Sequence, residues 1–197
     1  MARRLAWAGI VFPPLFVVVF LILGFVKPNY NPVRQFVSEG SIGQLGWVQV
    51  ANFLVFGPAL VLFAIGLWLG FGDRSAGRVG SVLIAIAGAG VFMAGPFVAD
   101  PGTTVVTSHG AVHIAVSLVV FACLVGAAIA FARRFAADRG FVIFSIVVAM
   151  VIPISFVAGG FVSVAGLIQR TMIVIAWTWL TLLGLRLRTT APASGAV

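Results

Sequence analysis

The sequence predicts an all-α integral membrane protein whose six helices cross the bilayer, and three observations support this. Hydrophobic residues make up 62% of the 197 residues and charged residues only 8%, whereas a soluble domain has about 25% charged residues. The apolar residues form six runs, each close to the roughly 20 residues that a helical span needs. The runs are continuous and do not alternate with polar residues, so they predict helices and exclude a β-barrel.

The six runs predict a single membrane domain over residues 1–188. They cover residues 5–26, 47–71, 79–99, 111–132, 141–160 and 167–185. Prolines fall within them at Pro13, Pro14, Pro58, Pro96 and Pro153. Membrane helices tolerate such breaks where neighbouring groups pair the freed carbonyls. The first run is too long for a signal peptide and has no small-residue cleavage site after it, so we expect it to be retained. The small, polar tail over residues 189–197 is predicted to be disordered.

The basic residues are divided unequally between the two ends of the spans. Three of the twelve, Lys27, Arg34 and Arg170, lie at one end, and the other nine lie at the end that also carries both termini. The positive-inside rule therefore predicts cytoplasmic termini and a multi-pass protein of the cell (plasma) membrane. The arginines occur singly or in pairs and form no basic stripe, so the net charge of +8 does not predict nucleic acid as a partner.

The first extracytoplasmic loop predicts a short amphipathic helix. Asn31 can cap it, Pro32 suits its first position and Gly40 can end it. Apolar residues at i, i+3, i+4 spacing would take one side, and polar residues, Arg34 and Ser38 among them, would take the other. The helix would either shield the top of the bundle or contribute Arg34, Ser38 and Glu39 to a ligand site.

The second extracytoplasmic loop contains the only two histidines of the chain. Ser108 can cap the fourth span, and His109 and His113 then share one helical face at i and i+4. Together with Asp100, which directly follows the third span, they could bind zinc. A bound zinc would activate water for hydrolysis. The alternative is a hydrogen-bonded polar cap that joins two helices.

Arg170 lies at the start of the last span with apolar sequence on both sides. An ionisable residue at that depth is a functional candidate. It could pair with Asp100 or Glu39, or it could hold an anionic group through its two-pronged guanidinium. The candidate ligand-binding residues are therefore Arg34, Ser38, Glu39 and Arg170.

The polar motifs resemble those of a known family. The stretch from Asn31 to Glu39 with the following Gly46-Trp47, then Asp100-Pro101, the two histidines and the stretch from Gly166 to Arg170, is similar to the domain-of-unknown-function 998 family. These are small prokaryotic membrane proteins with about six spans. The resemblance implies the fold and a membrane location but no activity.

A remoter resemblance is to intramembrane zinc hydrolases of the alkaline ceramidase and adiponectin-receptor type. It implies Asp100, His109 and His113 near a metal and Ser38 as a helper. The chain has one span fewer than those enzymes and lacks their late histidine pair.

Two functions follow, and whether the protein is an enzyme stays open at this point. The first is binding or sensing of a membrane lipid headgroup or of a lipid-like or small anionic ligand at the extracytoplasmic face. The alternative is metal-dependent intramembrane hydrolysis of a lipid-like substrate. A transporter is less favoured, because the middles of the spans are apolar apart from residues such as Ser117 and Ser155, which can bond back to their own helices.

Overall fold

The computed structural model describes residues 1–102 and 106–190, and within these it contains six α-helices and one short 3₁₀ helix. The α-helices are α1 (Ala2–Val26), α2 (Gly46–Phe71), α3 (Ser75–Met93), α4 (Ser108–Arg134), α5 (Arg139–Gly159) and α6 (Ala165–Thr190). All six are long and apolar enough to cross a membrane. The predicted all-α, six-span architecture is confirmed.

Each helix packs against the next one along the chain, and α6 returns to α1, so the bundle closes into a ring. Three connections lie together at one end of the bundle: loop 1 (residues 27–45), the described residues of loop 2 (94–102 and 106–107) and loop 3 (160–164). We call this end the loop face. The helix α6 continues through residues 189 and 190, the first two of the predicted tail, whose remaining residues 191–197 lie outside the described part of the chain.

The third span is shifted from its predicted position. The prediction was 79–99, but α3 runs from Ser75 to Met93 and a turn follows over residues 94–96. Pro96 therefore lies after the helix, not inside it. Proline has no amide hydrogen to donate and disfavours helical backbone in the residue before it, so the helix ends early and loop 2 starts deeper in the bundle.

The prediction of an amphipathic helix over residues 32–40 is wrong. Loop 1 contains turns followed by a 3₁₀ helix over Ser38–Ser41. The three apolar residues also do not share a face, since Val37 is buried while Val33 and Phe36 are exposed.

Tertiary hydrogen bonds explain why this segment does not form a helix. The carbonyls of residues 32–35 would accept bonds from within the helix, but here they all accept from α6, through the amides of Gly166 and Leu167 and the guanidinium of Arg170. The predicted cap is present, because Asn31 Oδ1 accepts from the amides two and three residues ahead at 3.0 and 3.2 Å. The turn is therefore started locally and then held by another helix.

The helix α5 is the least embedded of the six, and its burial is confined to one half. Its buried residues are Phe141, Ser145, Val148 and Ile152. No residue of α5 from Pro153 onward is buried, so the half nearest the loop face stands away from the bundle. This separation leaves a space between α4, α5 and α6.

Candidate ligand site at the loop face

A cavity of about 410 Å³ fills the space between α4, α5 and α6, beneath loops 1 and 2. We call it the outer chamber. Small-molecule sites commonly have volumes of about 300–1,000 Å³. Most of its wall is apolar, and polar side chains lie on it at a few positions. These are Ser38, Glu39, Asp100, His113, Ser117, Ser155 and Gln169.

A second cavity of about 60 Å³ lies toward the centre of the bundle, and we call it the inner chamber. Four residues line both chambers: Ser38, His113, Ser117 and Gln169. These four form a polar neck between the outer and the inner chamber. The inner chamber also has an aromatic wall that includes Trp177.

Asp100 organises the start of α4. Its Oδ2 accepts from the Thr107 amide and its Oδ1 from the Thr107 hydroxyl, both at 2.8 Å. Thr107, not Ser108 as predicted, caps the helix and accepts from the Gly110 amide at 3.1 Å. A Cβ on Gly110 would lie 1.9 Å from Asp100 Oδ2, so this carboxylate can approach the helix only over a glycine.

The two histidines take different environments although they share a helical face. His113 is buried, and its Nδ1 lies 2.7 Å from the carbonyl of Phe97. A carbonyl can only accept, so neutral His113 has its proton on Nδ1 and offers Nε2 as an acceptor. His109 is exposed and packs beside the Phe97 ring at a centroid distance of 5.4 Å.

The predicted zinc ligands are not gathered into one site by this arrangement. Within residues 1–102 and 106–190, no three His, Cys, Asp or Glu side chains lie close enough together to hold a metal ion. Asp100 is bonded to Thr107, His113 turns into the bundle and His109 turns out of it. Zinc binding by Asp100, His109 and His113 stays a prediction that this geometry does not support.

Arg170 pairs with neither of its predicted acidic partners in the described part of the chain. It is buried, and its Nη1 donates to the carbonyls of Pro32, Gln35 and Gly166, the last two at 2.7 and 3.0 Å. Its Nη2 donates to the Tyr30 hydroxyl. Arg170 is not among the residues that line either chamber. Its observed role is to hold loop 1 against α6.

Further bonds between loop 1 and α6 complete this contact, which we call the Arg170 latch. The Gly166 amide donates to the Arg34 carbonyl at 3.2 Å, and the Leu167 amide donates to the Val33 carbonyl at 2.9 Å. These bonds pair two amides at the start of α6 that have no acceptor within their own helix. A Cβ on Gly166 would lie 2.2 Å from the Gln35 carbonyl oxygen, so the latch requires a glycine there.

The other candidate ligand residues of loop 1 divide between the cavity and the surface. Ser38 and Glu39 line the outer chamber. Glu39 is buried, and its Oε1 accepts from the Phe36 amide at 2.8 Å. Arg34 is exposed and lies outside the cavity lining. The latch therefore positions Glu39 and Ser38 in the chamber, while its hydrogen bonds occupy the Arg170 guanidinium outside the chamber.

Several lining residues were not found by sequence reasoning. Gln169 lines both chambers and accepts from the Val37 amide at 2.7 Å, which also fixes loop 1. Ser117 and Trp177 lie in apolar runs that resemble ordinary span interiors. The only available signal was the position of Gln169 beside Arg170 at the start of a span.

Tyr30, the only tyrosine of the chain, reports on the latch. Burial raises the pKa of its hydroxyl above the ordinary value of 10.0, although nearby Arg170 acts in the opposite direction. The folded protein therefore keeps this proton at pH values at which the unfolded chain loses it. This contribution to stability is present below about pH 10 and is lost as the pH rises through the folded-state pKa.

We expect the absorbance titration of the folded protein in detergent to give a phenolate midpoint above that of the denatured protein. Because no other tyrosine contributes, the signal belongs to Tyr30 alone. Tyr30→Phe should abolish the signal and lower the free energy of unfolding by about 1 kcal/mol, since the Arg170 Nη2 bond is lost. Identical midpoints in the folded and denatured protein would show that Tyr30 is not buried against Arg170.

Comparison with known proteins agrees with the architecture and adds no activity. No curated protein and no solved structure gave a match. The one family identified is described as a protein of unknown function, and its model matches residues 10–186, from α1 to the last turns of α6. The chain therefore belongs to the DUF998 family of proteins of unknown function, as a multi-pass membrane protein with six spans.

Proposed function

We propose that this protein binds or senses an amphiphile of the outer leaflet, with the headgroup in the outer chamber and the hydrocarbon chain in the surrounding bilayer. The single observation that carries the proposal is the outer chamber itself, a cavity with polar side chains at its neck between otherwise lipid-facing helices. A purely structural bundle has no need for such a space, because dense packing is what stabilises membrane helices against each other.

The residues beside the chamber support entry from the bilayer. Ile114 and Leu118 on α4 and Phe156 on α5 line the chamber, and all three are also exposed on the outside of the bundle. Exposed apolar residues at span depth face hydrocarbon, so a chain lying between α4 and α5 would contact apolar groups along its length. The loose half of α5 would let the chain pass.

Trp177 provides independent support. It is 3% exposed and lines the inner chamber, yet its indole Nε1 has no hydrogen-bond partner in the described part of the chain. A buried donor without an acceptor costs about 1–3 kcal/mol. A ligand oxygen, or a water trapped beneath the ligand, would supply that acceptor. The inner chamber has room for a few waters or a small polar group.

The proposed orientation places the loop face outside the cell membrane. It rests on the nine basic residues at the opposite end and the three at this one. In that orientation the chamber opens at the level of the outer leaflet, and a bound headgroup would sit beneath loops 1 and 2. A partner protein could then recognise the ligand-bound form by the position of those loops.

The test compares Ser117→Phe with Val119→Phe. Ser117 is at the neck of the chambers, so a phenyl ring there would fill the space, whereas Val119 is exposed two residues away on the same helix. We expect Ser117→Phe to copurify with at least about tenfold less amphiphile than the wild-type protein does. The amount is measured by mass spectrometry of the extracted lipid. Val119→Phe should retain it.

A smaller substitution at the same position is the control for a loss of lipid that is caused by misfolding. Ser117→Ala removes the hydroxyl without filling the neck, and it should keep most of the bound amphiphile and the thermal stability of the wild type. Equal lipid content in Ser117→Phe and Val119→Phe, with both variants folded, would contradict the proposal.

A further inference from the structure

We infer that the headgroup bound in the outer chamber is cationic and carries N–H donors, as a primary ammonium does. This inference rests on the proposed function and adds the chemical class of the ligand. It departs from the anionic ligand that the two extracytoplasmic arginines suggested, because the structure distributes the charges differently.

The charged side chains that line the outer chamber are both acidic. They are Glu39 and Asp100, and among the described residues no lysine or arginine lines the chamber. Glu39 is also 92% buried, given its exposed fraction of 8%. A carboxylate in such a place is costly unless a positive charge or several hydrogen bonds compensate it.

The acids at the other end of the bundle are treated differently. Asp73 pairs with Arg134 at 2.9 Å, and Asp138 pairs with Arg186 at 2.5 Å. Over the described ranges these are the only ion pairs, so neither Glu39 nor Asp100 has a cationic partner among those residues. The two acids that face water thus form ion pairs, whereas the two that line the cavity have no cationic partner among the described residues.

Of the three basic residues at the loop face, two are already engaged, and the third, Arg34, is exposed and lies outside the described lining of the chamber. The guanidinium of Arg170 is bonded to carbonyls of loop 1 and to Tyr30. The Lys27 ammonium donates to the carbonyls of Ile42 and Gln44 within loop 1. Neither lines the outer chamber, so an anionic headgroup there would meet two carboxylates and no compensating cation from the described lining.

The two carboxylates and His113 give the lining acceptor atoms with unused capacity, beside serine hydroxyls and the Gln169 amide, which can both donate and accept. The Glu39 Oε2 has one long contact, 3.4 Å from Gln35 Nε2, and each Asp100 oxygen accepts from one donor among the described residues. A carboxylate oxygen accepts about two bonds, so capacity remains on both residues. His113 adds an Nε2 acceptor in its neutral form. An ammonium group offers three donors and no acceptor, which matches this set.

The acidic lining does not stand alone as evidence for a ligand. Trp177, nine-tenths buried and without a partner among the described residues, lines the adjoining inner chamber. Its N–H requires an acceptor that a water or an oxygen near the ammonium would provide. Two independent groups, a buried carboxylate without a cationic partner and a buried donor without an acceptor among the described residues, therefore adjoin one connected space.

The test measures binding of four probes with the same twelve-carbon chain: dodecylammonium, dodecyltrimethylammonium, dodecanol and dodecanoate. The wild-type protein in phosphatidylcholine nanodiscs is titrated with each, and empty nanodiscs correct for partition. We expect dodecylammonium to bind at least about tenfold more tightly than dodecanol or dodecanoate. Dodecyltrimethylammonium, which has the charge but no N–H donor, should fall between them.

Glu39→Gln should reduce the preference for the ammonium over the alcohol, because it removes one of the two acidic charges of the lining at nearly constant shape. Glu39→Asp, which keeps the charge, should retain a preference for the ammonium and shows that the chamber is still folded. Asp73→Asn, an acid at the opposite end of the bundle, should leave all four dissociation constants unchanged.

The outcomes separate the two proposals. If no probe binds the wild type better than Ser117→Phe, the proposed function is wrong. If the probes bind in a Ser117-dependent manner but dodecanoate or dodecanol matches dodecylammonium, the amphiphile site stands and the cationic headgroup is rejected. A preference for the ammonium that Glu39→Gln leaves unchanged would contradict the role assigned to Glu39 in recognising the headgroup.

Discussion

Replacing Arg170 by methionine is expected to lower the free energy of unfolding by about 3 kcal/mol or more and to release loop 1 from α6. The guanidinium bonds three carbonyls and the Tyr30 hydroxyl from a buried position, and its Cζ lies 5.4 Å from the centre of the Tyr30 ring. Methionine keeps the apolar part of the side chain but removes the donors to those acceptors. Each acceptor that water cannot reach then costs about 1–3 kcal/mol of stability.

The measurement combines thermal unfolding in detergent with limited proteinase K digestion. We expect Arg170→Met to unfold at a lower temperature and to be cut in loop 1 while the helices stay intact. Arg34→Met is the matched control, since it removes an exposed arginine from the same loop and should change neither readout. Arg170→Lys should recover only part of the loss, because an ammonium cannot span the same carbonyls.

A stable Arg170→Met variant with a protected loop 1 would contradict the latch. In that case Arg170 would again be available for a ligand, and the anionic headgroup would become the better hypothesis. The Arg170 experiment therefore bears on the chemistry of the chamber as well as on stability.

Replacing Gly57 by valine is expected to destabilise the bundle by at least about 2 kcal/mol by separating α2 from α3. A Cβ at Gly57 would lie 2.5 Å from the Phe92 amide nitrogen and 2.7 Å from the Gly88 carbonyl oxygen. Both are backbone atoms of α3, so neither can move without shifting the helix. Small residues at such crossings let membrane helices approach closely.

Gly126→Ala provides the matched control for this prediction. Gly126 is also in the middle of a span, but the nearest atom to its added Cβ is the Leu83 side-chain methyl at 2.9 Å, which can rotate away. We expect Gly126→Ala to be close to neutral in thermal unfolding, and Gly57→Val to unfold at a clearly lower temperature. A Gly57→Val variant as stable as Gly126→Ala would mean that α2 and α3 are not in contact at this point.

The spans themselves could be predicted from the sequence because they depend on a property of the chain alone. An apolar run long enough to cross a bilayer must form a helix there, since its amides have no water to bond with. The predicted boundaries at Val26 and Phe71 agree with the ends of α1 and α2. The third span shows the limit of this argument, because Pro96 ended the helix while the hydropathy continued.

Loop 1 shows what local patterns could not determine. Asn31 caps as predicted, but the helix expected after it does not form, because α6 competes for the carbonyls of residues 32–35. The competing donors, such as the Gly166 amide and the Arg170 guanidinium, are more than 130 residues away in sequence. No rule of residue spacing contains that information.

The roles of the candidate residues divide in the same way. The sequence by itself determined that the unusual polar residues gather at one end of six apolar spans, because only helix ends can hold them at low cost. Tertiary structure alone decided which of them line the same cavity. Glu39, Asp100 and His113 line the outer chamber, while the Arg170 guanidinium is hydrogen-bonded to loop 1. The physical reason is that a chamber depends on how far α5 stands from its neighbours, and that separation is a property of the packed bundle, not of any single helix.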